Sequence, residues 1–252
     1  MSAERATDGP AIRTEGLGRT FGALRALTRV DLSVADGESL VLFGPNGAGK
    51  TTLIRILTLG LKATSGSFDI AGFDPRRDDL AIRQRIGVIS HRSYLYDDLS
   101  ARQNLEFFAR LYGVDDPGGR AEELLDTVGL RHRADDAVRT FSRGMQQRIS
   151  LARSLVHDPR IVFLDEPFTG LDPAAARMLR GTLERLREER RTVFMVTHNL
   201  AQGLELSDRW IILARGRVAE SGASRDTDAA GLEQLYFARF GAGAGAAAGV
   251  EA

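Results

Sequence analysis

The stretch GPNGAGKT, residues 44–51, constrains the fold of this chain more than any other segment. It follows SLVLF, continuously apolar from Leu40 to Phe43, and precedes TLIRILTL, whose apolar residues recur at helical spacing. A buried strand, a glycine-rich turn and a helix in that order fit the pattern G-x-x-x-x-G-K-[ST]. Glycines let the backbone close around phosphate groups, and the helix N-terminus adds N–H donors and the positive end of its dipole. Gly44, Pro45, Asn46, Gly47, Ala48 and Gly49 are thereby expected to cradle phosphates. Lys50 is placed to reach the β- and γ-phosphates, Thr51 to ligate Mg²⁺, and Thr52 to add a hydroxyl to the α-phosphate.

The surrounding pattern predicts an α/β protein with a parallel sheet. Val30, Leu32 and Val34 alternate, Asp36-Gly37 reads as a hairpin turn, and the buried strand 40–43 follows. Phe68 and Ile70 alternate in a further strand. IVFL (161–164) and TVFMV (192–196) read as buried strands, 173–190 as a helix, and 210–221 as a hairpin about Arg215-Gly216. A last amphipathic helix presents Leu232, Leu235, Tyr236 and Phe240. Between about 98 and 157 the period is helical throughout, which predicts a helical subdomain inserted in the core. Residues 1–10 are expected to form a flexible tail and GAGAGAAAGVEA (241–252) a disordered low-complexity one, leaving 11–240 as a single domain. RLREERR (185–191) is a solvated helix face.

Carboxylates stand where the phosphate chemistry needs them. LDEP (164–167) closes an apolar strand, and an Asp-Glu pair there is costly unless ions or hydrogen bonds compensate it. Asp165 is placed to hold Mg²⁺, directly or through water, and Glu166 to orient and deprotonate an attacking water. His198 follows another strand end. Alone it reads as a cap or loop residue, but beside this constellation it is a candidate γ-phosphate partner. Phe21 is either a core aromatic or a stacking surface for a nucleobase.

FSRGMQQR (141–148) opens a helix with Ser142 as N-cap and Gly144 in its first turn, where glycine costs stability. Such a turn suggests N–H groups that must meet something negative.

Taken together, residues 11–220 resemble the nucleotide-binding subunit of ABC transporters. Phe21 matches the adenine-stacking aromatic, GPNGAGKT the Walker A loop, IVFLDE the Walker B strand, FTGLD (168–172) the D-loop and His198 the switch histidine. FSRGMQQR matches the signature loop. The resemblance implies a P-loop NTPase core with an antiparallel β subdomain and a helical subdomain, using ATP and Mg²⁺. Lys50, Glu166 and His198 would be catalytic. It further implies that ATP is sandwiched between two nucleotide-binding domains, with Ser142 and the Gly144 N–H contacting the γ-phosphate of the partner's nucleotide and Asp172 at the shared interface. Arg143 and Met145 depart from the common Leu-Ser-Gly-Gly-Gln signature, and Ser-Arg-Gly-Met resembles exporter subunits. His91 stands where the family places the Q-loop glutamine, which meets Mg²⁺. That histidine and LYDDLSARQNLEFFARLYG (95–113) resemble the ATPase subunit of haem exporters of cytochrome c maturation.

Three functions are open at this level. The first is an ATP-hydrolysing motor for an exporter of haem, or else of a drug, lipid or polysaccharide. The second is a soluble ABC protein acting on ribosomes or DNA, which a formal net charge of zero and a single set of motifs disfavour. The third is an ATP sensor without turnover, against which Glu166 and His198 argue. No run of about 18 apolar residues and no secretory leader is visible, so membrane contact is expected only through permease partners, at the cytoplasmic face. The absence of cysteine excludes disulfides, cysteine nucleophiles and thiolate metal sites.

Overall fold

The structure, a computed structural model, describes residues 9–90 and 93–240. The two expected tails fall outside it, apart from Gly9 and Pro10. Two sheets organise the rest. Strands β1 (Ile12–Phe21), β2 (Leu24–Val34) and β4 (Ser65–Ile70) form an antiparallel sheet in the order β2-β1-β4. Strands β3 (Ser39–Phe43), β5 (Ile86–Ile89), β6 (Ile161–Asp165), β7 (Thr192–Val196), β8 (Arg209–Ala214) and β9 (Arg217–Ala223) form a six-stranded sheet in the order β5-β6-β7-β3-β8-β9. Its pairs are parallel except β8 with β9, the hairpin whose turn is Arg215-Gly216.

Every residue of β3, β6 and β7 is buried. Their side chains alternate between two cores, as the period-two geometry of a strand requires. Val41, Phe43, Val162, Leu164, Val193 and Met195 point into one core, which is shared with α3 (Ala101–Leu111), α4 (Pro117–Thr127), α5 (Arg143–Ser154) and α6 (Pro173–Glu188). Leu40, Leu42, Phe163, Phe194 and Val196 point into the other, against α1 (Lys50–Leu57) and the antiparallel sheet. The central strands are therefore covered on both faces, which is why they read as unbroken apolar runs. Each fully buried Phe or Leu contributes about 1.5–3 kcal/mol. The short helices α2 (Asp79–Arg83) and α7 (Leu200–Glu205) and the final α8 (Ala229–Phe240) complete the chain.

One expectation is corrected. Asp36-Gly37 does not close a hairpin, because β2 pairs with β1 whereas β3 pairs with β7 and β8. The turn instead carries the chain from one sheet to the other. Gly37 has φ 77° and donates its N–H to Thr192 Oγ1 at 2.8 Å. An all-apolar β3 needs cover on two faces, and only the middle of the parallel sheet supplies it.

Within 98–157 the structure has α3, α4 and α5, with two single-turn 3-10 helices, Arg131–Arg133 and Val138–Thr140, in the connection from α4 to α5. Ser100 caps α3 in a reciprocal capping box with Gln103.

Candidate active site

The loop from Gly44 to Gly49 leaves the C-terminal end of β3 and enters α1, at the edge where parallel sheets bind ligands. It is wedged between neighbouring backbone segments. A Cβ on Gly44 would lie 2.2 Å from the Leu213 carbonyl oxygen, and one on Gly49 2.5 Å from that of Ala26. Both glycines have positive φ, so any side chain there is excluded twice over. Gly216, in the β8–β9 turn, donates its N–H to Ala48 O at 3.0 Å and so fixes the loop from behind. Asn46 and Gly47 remain exposed at its tip.

Lys50 folds back over this loop. Its Nζ donates to Gly44 O at 2.6 Å and to Pro45 O at 3.0 Å. Burial lowers the pKa of its ammonium, while the charges of Glu166 and Asp165 oppose that shift. Both acidic residues thus act on the lysine of the phosphate loop. Thr51 and Thr52 occupy the first turn of α1, with Thr51 exposed.

Asp165 ends β6 at 6% exposure, in register with Val196 of β7. Glu166 follows with φ 52°, a left-handed conformation uncommon for a non-glycine residue, and donates its N–H to Val196 O at 2.9 Å. The kink aims its carboxylate sideways. His198 Nδ1 lies 2.8 Å from Glu166 Oε2, with the carboxylate largely buried and the imidazole exposed. A carboxylate oriented by an imidazole, on the same edge as a glycine-rich loop and its lysine, can hold and polarise a water beside a phosphate.

A divalent ion fits this donor set. The Thr51 hydroxyl and the Asp165 carboxylate are hard oxygen ligands suited to Mg²⁺. Among the described residues no cluster of three or more His, Cys, Asp or Glu could hold a metal by itself. A Mg²⁺ bound here therefore needs phosphate oxygens and water as well, as that ion ordinarily does. His91 lies outside the described residues.

Phe21 sits at the β1–β2 hairpin, 43% exposed, with the Arg19 guanidinium 4.5 Å above its ring. That removes the core reading and leaves an accessible aromatic face. Ser142 caps α5, its Oγ accepting from Met145 N at 3.3 Å. Gly144 is buried against Asp172 and Ala175, and Asp172 caps α6 by accepting from Ala175 N at 2.8 Å. The structure thus gathers Lys50, Asp165, Glu166 and His198 around the phosphate loop. Ser142, Gly144 and Asp172 form a second group, where α5 meets α6. The sequence reading missed the support of the loop by Gly216 and the packing of Arg143 against Gly170. Neither leaves a local signal, since each joins distant segments.

This fold and site define an ATP-binding cassette. The ABC transporter family profile matches residues 27–169, and the chain belongs to that family. The daunorubicin resistance ATP-binding protein DrrA3 of Streptomyces coeruleorubidus is 38% identical over 221 residues, covering 87% of this chain and 70% of the relative. The ABC transporter ATP-binding protein NatA of Bacillus subtilis is 35% identical over 216 residues, covering 84% and 85%. A dimeric ATP-binding cassette solved in a post-hydrolysis state with ADP and Pi aligns with TM-score 0.77 and 27% identity, covering 85% of this chain and 99% of that one. The chain is accordingly an ATP-hydrolysing subunit of the ABC transporter family that uses ATP with Mg²⁺. Among the described residues no helix is long and apolar enough to cross a membrane.

Proposed function

We propose that this chain is the motor subunit of an exporter, held peripherally at the cytoplasmic face of the membrane by its permease, and that two copies sandwich two ATP molecules. The observation that carries the hydrolytic reading is the Glu166–His198 pair beside the Lys50 loop. In this reading loop 44–49, Lys50 and Thr52 bind the phosphates, and Thr51 and Asp165 hold Mg²⁺. Glu166 takes the proton of the attacking water, and His198 orients Glu166 and meets the γ-phosphate. Phe21 stacks on the adenine. The partner's nucleotide is completed by Ser142 and the Gly144 N–H, with Asp172 at the interface.

Export is supported by the Ser-Arg-Gly-Met signature and by the likeness to a drug-resistance ATPase. The cargo class we favour is an amphipathic drug-like compound. Haem export rests on His91 and its flank, whereas the relatives described above carry other names. The test is transport in inverted membrane vesicles containing the chain and its co-purified permease. ATP-dependent uptake of an anthracycline, with none of haem, supports the reading. Uptake of haem alone restores the haem assignment, and uptake that runs in the import direction overturns export.

A further inference from the structure

Two loops that serve different nucleotides interlock within one chain. A Cβ on Gly144, in the signature turn, would lie 3.0 Å from Asp172 Oδ2. A Cβ on Gly170, in the loop after β6, would lie 3.2 Å from the guanidinium carbon of Arg143. Each loop therefore offers a glycine on which the other loop's charged side chain rests. Asp172 is fixed there by capping α6. Arg143 is held differently. Among the described residues its guanidinium makes no hydrogen bond or ion pair, and it lies against the backbone of Gly170, which has φ 75°. A weakly hydrated planar cation suits such stacking, and an ammonium does not. Arg143 also lines a cleft of about 130 Å³ together with Glu166, Ser90, Gln146 and Thr169.

We propose that Arg143 is a positioning residue that couples the two ATP sites of the dimer. It ties the loop that follows Glu166, which serves this chain's own nucleotide, to the turn of Ser142 and Gly144, which serves the partner's. The proposal rests on the sandwich reading given above. Arg143 and Gly144 lie in the same first turn of α5 and move as a unit. When that turn engages a γ-phosphate, the plate over Gly170 carries residues 168–172 with it, and Glu166 reaches its working position. Each site then hydrolyses only when the other is engaged, which is a coupling free energy between sites.

The experiment is a double-variant cycle on the full chain with its permease, reading kcat and the Hill coefficient for ATP, alongside nucleotide affinity of the free subunit. Arg143→Ala is expected to lower kcat by about 10- to 100-fold, the cost of a misplaced catalytic group. Its Hill coefficient falls to unity while nucleotide affinity of the free subunit is unchanged. Gly170→Ala, which fills the seat of the guanidinium, gives the same pattern. The double variant is no worse than Gly170→Ala alone, whose methyl also strains the backbone at φ 75°, because the contact that Arg143→Ala removes is already broken there. Arg143→Lys does not rescue. Wild-type kcat and Hill coefficient in Arg143→Ala overturn the proposal, as does full rescue by lysine or multiplicative loss in the double variant. ATP-dependent dimer formation by Glu166→Gln is followed in parallel. Its failure would remove the sandwich reading, whereas dimer formation together with an inert Arg143→Ala removes only the coupling.

Discussion

His198 Nδ1 lies 2.8 Å from Glu166 Oε2 because the two residues leave the ends of adjacent parallel strands. The left-handed φ of Glu166 turns its carboxylate toward the neighbouring strand end instead of along its own. The imidazole is exposed, so its removal costs little packing. His198→Ala is expected to lower kcat by about 10² to 10⁴ with little change in thermal stability. Steady-state hydrolysis and a melting curve on the same preparation check this. A stability loss that accounts for the activity loss would make the residue structural.

Lys50 bridges two carbonyls of its own loop, and its ammonium feels the charges of Glu166 and Asp165. Lys50→Ala removes the cation proposed to meet the β- and γ-phosphates. ATP binding should be lost or severely weakened, as measured by isothermal titration. Unchanged affinity would sink the assignment of loop 44–51.

Ser142 has one duty in the fold and a second, proposed one across the dimer. As N-cap of α5 it stabilises the helix, and Ser142→Ala should cost about 1 kcal/mol. In mixed dimers of Ser142→Ala with wild type, the site damaged should be the one built on the wild-type chain's phosphate loop. Damage to the site on the variant's own loop would reverse the proposed geometry. Site-resolved trapping of labelled nucleotide distinguishes the two.

His157 gives the fold a pH dependence unrelated to catalysis. It stacks on Tyr112 at 3.9 Å, its Nε2 meets Ile86 O at 3.0 Å, and its Nδ1 is buried without a partner among the described residues. Burial pushes its pKa from 6.5 down to about 4, the hydrogen bond to Ile86 and the charge of Asp158 oppose the shift, and Arg153 and Arg120 add to it. The unfolded chain then takes up a proton near pH 6.5 that the folded chain refuses until about pH 4. Stability from this group is full above pH 6.5 and is lost as pH falls toward 4, on the order of 3 kcal/mol in all. His157→Phe keeps the ring stack and removes the titration. Urea unfolding across that window should show a shallower acid limb in the variant, and parallel limbs would contradict the account.

What was legible in the sequence was local or periodic. GPNGAGKT announced its strand, turn and helix because each residue type has a job within a few positions. The apolar runs of β6 and β7 were plain because two covered faces demand them. Asp36-Gly37 misled because a turn dipeptide fixes the bend and not the partner, which the burial of β3 decided. The strand β1 went unread, since Gly16 and Gly18 interrupt its alternation and its pairing slips register there. Candidate site residues were nameable one by one. Their grouping was not, because the contacts of Gly144 with Asp172 and of Gly170 with Arg143 depend on how α5 and α6 pack.

The central claim is that one chain supplies half of each ATP site and that Glu166 drives hydrolysis. Sedimentation of Glu166→Gln with and without ATP and Mg²⁺ tests it most directly. The account predicts a monomer without ATP and a stable dimer holding two ATP per two chains with it, turning over about 10² to 10⁴ times more slowly than wild type. A variant that stays monomeric with ATP bound, or that hydrolyses at the wild-type rate, would contradict it.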